Sequence, residues 1–429
     1  MNAYAPLVLE GWDLTDAKGN LGAVSPTVLV RGIDSTSVGF DDPLLGRHIL
    51  FMGGIGTGKT VGMSALVESL RVNAAPDDIF VFFDTKGDYL ARFWHDGDTV
   101  ISSDQASPQK GHALWNFFSD LELAQDPDAE VEEMAGTLFG ATEEAAGDKN
   151  AIWPQLAQDL FAALVRASRR ANATLSNSDI RKIADTMTVP QMHALIEPHE
   201  DLRGVLQYIA KEGSSTTLSV LIFMQQMIRS TFKGAFGAAG DFSIRRFLRS
   251  KGGGAVFLEY DVAAGETVTP VFRTILDIAL KESLGRNRAK GRVFFVLDEF
   301  ALLPKLENLD SGLNFGRSLG LRFVVGTQNV GQVFARYGEA GGSSVLSGFG
   351  TVFTFRLYDR ASRDFVRDRF GSNRKVVRFD AALKSRGISE ERIDGSVIED
   401  WDLSRLGVGQ VVVALPDGPP HRFQFAPPA

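Results

Sequence analysis

The residues best placed to do chemistry stand in "GGIGTGKT", Gly53 to Thr60. The spacing G-x-x-x-x-G-K-[ST] puts Gly53, Gly58, Lys59 and Thr60 in register for a phosphate loop. Glycines, here Gly54 and Gly56 as well, let such a loop fold with Thr57 around phosphate oxygens and point backbone N–H groups inward. The helix that follows adds the positive end of its dipole. Lys59 would neutralise charge on the β- and γ-phosphates, and the Thr60 hydroxyl would ligate Mg²⁺. A plain glycine turn is the competing reading. The motif follows the apolar "HILFMGG" and opens the helically spaced "KTVGMSALVESLRVNAA", the context a phosphate loop requires.

A second constellation ends the apolar run "VFFVLDEF" in two adjacent carboxylates, Asp298 and Glu299. A run that apolar reads as a strand buried on both faces of a parallel sheet. At its C-terminal end, Asp298 can hold the Mg²⁺ shell and Glu299 can accept a proton from attacking water. A solvated strand end is the alternative. "FVVGTQN" ends the next strand at Thr327 and Gln328, and Gln328 is placed to sense the γ-phosphate or orient the water. Arg317, in "FGRSLG", has no carboxylate near it in sequence and is a candidate arginine finger, against the default of a solvated helix arginine. "TKGD", Thr85 to Asp88, matches a guanine-specificity pattern but comes too early to read a base. The histidines lack metal-ligand spacing.

These residues need strands and helices to carry them. To about Pro108 the chain reads strand, loop, helix, strand, a βαβ unit that implies a parallel sheet. From Leu114 to about Gly240 helical patterns dominate, "IWPQLAQDLFAALVRASRR" and "TLSVLIFMQQMIRSTF" among them, and at least five helices are expected. Strand signals resume at "GAVFLEYDV" and continue through "RVFFVL", "LRFVVGTQ" and "GTVFTFRL". Two strands with a Pro/Gly turn close the chain in "VGQVVVALPDGPPHRFQF". The fold class is α/β, with an all-α insertion.

The 429 residues are 44% hydrophobic and 23% charged, enough for a sizeable core. With no cysteine, a disulfide scaffold or thiolate zinc site is excluded. No run approaches the roughly 20 apolar residues of a membrane helix, and the N-terminus has no signal-peptide pattern. A soluble intracellular chain is expected. A formal net charge of −8 argues against simple duplex wrapping but leaves room for a local basic surface. Lys251 and "IRRFLRS", Ile244 to Ser250, are the basic groups that could face DNA, with a solvated amphipathic face as the default.

Taken in order, the motifs resemble the conjugative coupling ATPases of type IV secretion, the TraG/TraD-like group of the FtsK/HerA superfamily. The resemblance runs from about Gly46 to Phe425. It rests on the phosphate loop, "DTKGDY", "WNFF" at Trp115 to Phe118, "LDEFALLPKLENLDSGLNFGRSLGLRFVVGTQNVGQV", and the closing "LSRLGVGQVVVALPDGPPHRFQF". It implies a RecA-like P-loop nucleotide-binding domain with a mostly parallel central sheet, residues 1–113 and 244–429, and an all-α domain, 114–243. It also implies ATP and Mg²⁺ as cofactors, a homo-hexameric ring, Arg317 as a trans-acting finger and Gln328 as sensor. The implied partners are DNA, relaxase or effector protein, held through the all-α domain, and a secretion channel. The family's N-terminal membrane helices are missing here, so a cytoplasmic chain is expected at the inner face of the membrane, through a partner or an anchor not in this sequence. "WNFF" also lacks the proline of the family's W-N-P-L. An FtsK/HerA-type DNA translocase is the alternative, and an ATPase recruiting protein cargo is a third reading.

Overall fold

The computed structural model describes residues 7–104, 109–146, 152–172, 174–250, 253–262, 267–285, 291–303, 305–380 and 388–427. Lys251 lies outside them. The chain forms two compact units, one of Met1–Ala75, Arg292–Leu302 and Leu309–Ala429, the other of Pro76–Gly291 and Leu303–Asn308.

In the first unit the strand Ile49–Met52 lies between Leu321–Thr327 and Thr351–Thr354, parallel to both. Leu321–Thr327 pairs in parallel with Val293–Leu297. Every residue of these four strands is buried, which is why their sequences are continuous apolar runs and do not alternate. Rings fill the space between neighbours: Phe51 stacks on Phe353 at 4.7 Å and Phe295 on Phe323 at 5.3 Å. Gln410–Ala414 then adds antiparallel to Thr351–Thr354, His421–Gln424 adds antiparallel to it, and Thr15–Asp16 follows in parallel. The mostly parallel sheet, its α/β class and the closing strand pair are as the sequence implies. Two small sheets carry no comparable sequence signal. One is Asn20–Gly22, Ser37–Phe40 and Val28–Arg31; the other is Leu7–Glu10 with the long hairpin Ser372–Asp380 and Ile388–Ser396.

The second unit holds three parallel strands, in the order Ile79–Asp84, Ala255–Glu259, Thr99–Ser102, and most of the helices. The longest are Pro127–Ala146, Ile152–Ala171, Ser215–Thr231 and Thr269–Leu284. Local polar residues begin several helices: Ser176 with Asp179, and Thr188 with Gln191, form capping boxes. Glu200–Ile209, helical by its spacing, is a 3₁₀ helix. The "TKGD" stretch is a strand-end turn. Asp84 accepts hydrogen bonds from the backbone of Lys86, Gly87 and Leu90, and Gly87 takes a left-handed φ of 75° to start the next helix. Burial pushes the Asp84 carboxyl up.

"WNFF" anchors this unit. Trp115 is fully buried, and its indole N–H donates to Asp120, which also accepts from the Ser243 hydroxyl and the Arg245 amide. The amide of Phe117 donates 2.8 Å to Asn177 Oδ1. A proline at that position has no N–H to give, so the departure from W-N-P-L comes with a bond that uses the amide.

The basic segment "IRRFLRS" corrects an expectation. Arg245 is buried and pairs with Glu130 and, at 3.0 Å, with Glu282. Arg249 binds Glu282 at 2.6 Å. Arg245 is thus withdrawn from both DNA and a solvated face, and the half-buried Arg249 is neutralised by a buried carboxylate of a distant helix. Among the described residues no helix is long and apolar enough to cross a membrane.

Candidate active site

The site is built at the C-terminal ends of three adjacent parallel strands of the first unit. Ile49–Met52 runs into the phosphate loop, Val293–Leu297 into Asp298 and Glu299, and Leu321–Thr327 into Gln328. Ligand sites in parallel α/β sheets form at this edge because the loops there converge over the strand ends.

The loop is fastened on three sides. The Gly53 amide donates to Thr327 O at 3.1 Å, the Gly54 amide to Arg356 O at 3.1 Å, and the Thr57 hydroxyl to Gly54 O at 2.8 Å. Gly56 and Gly58 have φ of 74° and 98°, left-handed values that a side chain resists. Gly58 is also closed sterically: a Cβ there would lie 2.9 Å from Gly409 N, and the Gly409 amide donates to Thr57 O at 2.9 Å. The helix Lys59–Val72 follows at once, so its free N-terminal amides face the loop.

Lys59 Nζ lies 3.0 Å from Asp298 Oδ1 and 3.1 Å from Asp298 O, and all of these groups are buried. Thr60 Oγ1 lies 3.3 Å from Asp298 Oδ2. A hydroxyl and a carboxylate side by side are hard oxygen donors of the kind Mg²⁺ selects, so the donor set fits that ion. Glu299, buried, takes a 3.1 Å hydrogen bond from Gln328 Nε2. Thr327 turns its hydroxyl to Asn329 O at 3.1 Å and closes the strand end. Lys59, Thr60, Asp298, Glu299 and Gln328 therefore form one constellation.

Arg317 does not join them. It lies in the 3₁₀ turn Gly316–Leu319, before the strand whose far end carries Gln328. Its stem passes Gly46, which precedes the phosphate-loop strand. The parallel register Val324↔Ile49 to Thr327↔Met52 puts Arg317 at the opposite edge of the sheet from Lys59. Its side chain is exposed, and no described residue hydrogen-bonds or ion-pairs with the guanidinium.

Residues that sequence reasoning passed over also shape the loop. Tyr358, 60% exposed, stands where a Gly54 Cβ would be, at 2.3 Å, and the Arg356 guanidinium lies 5.3 Å from its ring. The available signal was position: "RLYD" follows the strand beside the phosphate-loop strand.

A family model for the type IV secretion-system coupling protein DNA-binding domain matches residues 35–399. Coupling protein TraD of Escherichia coli (strain K12) is 23% identical over 388 residues, 86% of this chain and 50% of TraD. The chain thus spans half the length of that relative. The unbound monoclinic form of the bacterial conjugative coupling protein TrwBdeltaN70 superposes with a TM-score of 0.75 at 20% identity, covering 98% of this chain and 93% of that one. Plasmid coupling protein TrwB in complex with ADP and Mg²⁺ gives 0.73 at 20% identity, covering 100% and 96%. The fold is shared with these structures, and by the family model this chain belongs to the type IV secretion-system coupling protein DNA-binding domain family.

Proposed function

We propose that this chain is the ATP-hydrolysing motor of a type IV secretion or conjugation coupling protein, which recruits DNA, nucleoprotein or effector substrate and moves it to the secretion channel. The observation that carries the reading is the convergence of Lys59 and Thr60 on Asp298, with Glu299 held by Gln328 one strand away. The loop amides and Lys59 bind the phosphates of ATP. Thr60 and Asp298 would hold Mg²⁺, which would draw charge from the β- and γ-phosphates. Glu299 takes the proton of the attacking water, and Gln328 fixes the carboxylate and senses the γ-phosphate. TrwB, which shares the fold, is described in complex with ADP and Mg²⁺.

Arg317 acts in trans, on nucleotide held by the neighbouring copy in a homo-hexameric ring. Its place at the far edge of the sheet supports this, since it stands away from the loop of its own chain. The domain reading takes 1–113 with 244–429 as motor and 114–243 as the all-α recruiting part, and what supports it is the run of helices from Phe117 to Thr231. The ring sits at the cytoplasmic face of the membrane, through a partner or an anchor. A protein-cargo reading gains from the internal pairing of Arg245 and Arg249, which removes two cations from any DNA surface.

The test is ATP turnover with and without single- and double-stranded DNA, in wild type, Lys59→Ala and Glu299→Gln. Turnover lost in both variants is expected, and turnover retained in both removes the motor assignment. Activity indifferent to DNA, with a protein substrate bound by the helices, selects the recruiting reading.

A further inference from the structure

Arg322 is an arginine in the second position of a strand buried throughout, and it is only 5% exposed itself. Burying a guanidinium costs several kcal/mol unless its donors are satisfied, so its partners reveal its work. Nη2 donates to both oxygens of Asp42, at 3.0 and 3.0 Å. Nη1 donates to Leu321 O at 2.8 Å and to Arg317 O at 3.1 Å. The Asp42 carboxylate, with both oxygens on Nη2, thus anchors one end of the fork, and the other end holds the backbone of the turn that carries Arg317.

Two further contacts complete the mount. Gly46 closes the short helix Asp42–Leu45, and a Cβ there would lie 3.0 Å from Arg317 Cγ and 3.4 Å from Arg322 Cζ. The bare glycine leaves room for the Arg317 stem. On the other side His48 Nε2 lies 3.2 Å from Leu313 O, in the helix leading to the turn, and Nδ1 accepts from the Phe323 amide at 3.3 Å. Gly320, at φ 91°, ends the turn. The backbone of the turn is fixed from both sides while the Arg317 guanidinium stays exposed.

We infer that Arg322, anchored on Asp42, is a positioning residue for Arg317, setting the direction in which that guanidinium leaves the surface. The inference rests on the reading of Arg317 as a trans-acting catalytic arginine. A charge that must meet a phosphate on another subunit gains from being aimed in advance, because reorganisation during the reaction is avoided. The described polar contacts of Asp42 and Arg322 include none with Lys59, Thr60, Asp298, Glu299 or Gln328, so their effect is expected on turnover.

The experiment compares steady-state ATP hydrolysis by the full chain as wild type, Arg317→Ala, Arg322→Met, and the double variant. Arg322→Met is expected to lower kcat by about 10²-fold, the scale of a catalytic group displaced by an ångström, with KM for ATP held within about twofold. In the Arg317→Ala background the same substitution should change kcat by less than about twofold, because the residue it aims is gone. Arg322→Lys, which can still reach the Arg317 carbonyl, should recover part of the loss. Independent, multiplying losses overturn the inference, as does an unchanged kcat in Arg322→Met. Unchanged turnover in Arg317→Ala defeats the finger reading itself, a distinct result seen without any Arg322 variant. If Arg322→Met does not fold, Asp42→Asn and Gly46→Ala carry the same cycle, since each disturbs the mount from outside the strand and leaves Arg322 in place.

Discussion

The side-chain amide of Gln328 donates a 3.1 Å hydrogen bond to Glu299 Oε1, joining the ends of two neighbouring parallel strands. The bond fixes one carboxylate oxygen and leaves the other for water. Gln328→Ala should lower kcat by about 10²-fold, the order expected when a proton acceptor loses its orientation, with ATP affinity retained. Gln328→Glu sets a second carboxylate beside Glu299, and like charges raise the proton affinity of the pair. The acidic limb of its pH–rate profile should therefore move to higher pH, read from kcat between pH 5 and pH 9.

Gly326 is a tight point beneath the same site. A Cβ at this position would lie 2.3 Å from Asp298 O, 2.8 Å from Met63 Sδ and 3.0 Å from Asp298 Oδ1. Gly326→Ala should cost about 1–3 kcal/mol of stability by overpacking, and should weaken Mg²⁺-dependent nucleotide binding by shifting Asp298. Denaturant midpoints and nucleotide titration measure the two effects. Gly204, with nothing within 4 Å of its Cβ position, provides the neutral control.

The buried cluster of Arg245, Glu130 and Glu282 should behave as a unit. Lys281 joins Glu130 at 2.8 Å and Arg249 joins Glu282 at 2.6 Å, so removing Arg245 takes away the buried cation that the two carboxylates share. Arg245→Ala should destabilise the second unit by about 3–5 kcal/mol, measured by denaturant unfolding. The salt dependence of any DNA binding should keep its slope, since a phosphate contact would have changed it.

His48 gives a pH signature. It is 1% exposed, and burial first, then the charges of Arg322 and Arg317, lower its pKa from 6.5 to about 4; the Leu313 carbonyl opposes them. The unfolded chain binds a proton here between pH 6.5 and pH 4 that the folded chain does not. Stability from this group is complete above pH 6.5 and is lost as pH falls toward 4, by about 3 kcal/mol. His48→Asn, an exchange suited to its left-handed φ of 55°, should flatten that part of the stability curve relative to wild type.

The grouping of Lys59, Thr60, Asp298, Glu299 and Gln328 was legible because each part carries a local signature: a glycine spacing, two acids after an apolar run, a glutamine after the next. The mount under Arg317 was not. Asp42 and Arg322 are 280 residues apart, and each alone reads as a surface charge. Arg245 and Arg249 misled for the same reason, since Glu282 stands 37 and 33 residues away. Apolar spacing foretold the helices of the second unit yet missed the 3₁₀ character of Glu200–Ile209, because the two helix types share an i, i+3 contact. Strands of two to four residues near the N-terminus are too short to show a period.

The short stretch Leu303–Asn308 belongs to the second unit, although the residues on either side belong to the first. The chain therefore crosses the boundary four times, at 75/76, 291/292, 302/303 and 308/309. Leu303 and Leu306 are 1% and 2% exposed, Glu307 binds Arg273 at 2.9 Å, and the Asn308 amide donates to Asp277. A fragment spanning 76–291 would lack all of these, leaving an unfilled apolar seat and Arg273 with Asp277 alone. The second unit is thus no detachable cassette: six of its residues, the buried Leu303 and Leu306 among them, are encoded between Glu299 and Arg317, and excision, grafting or swapping among relatives has to carry them along.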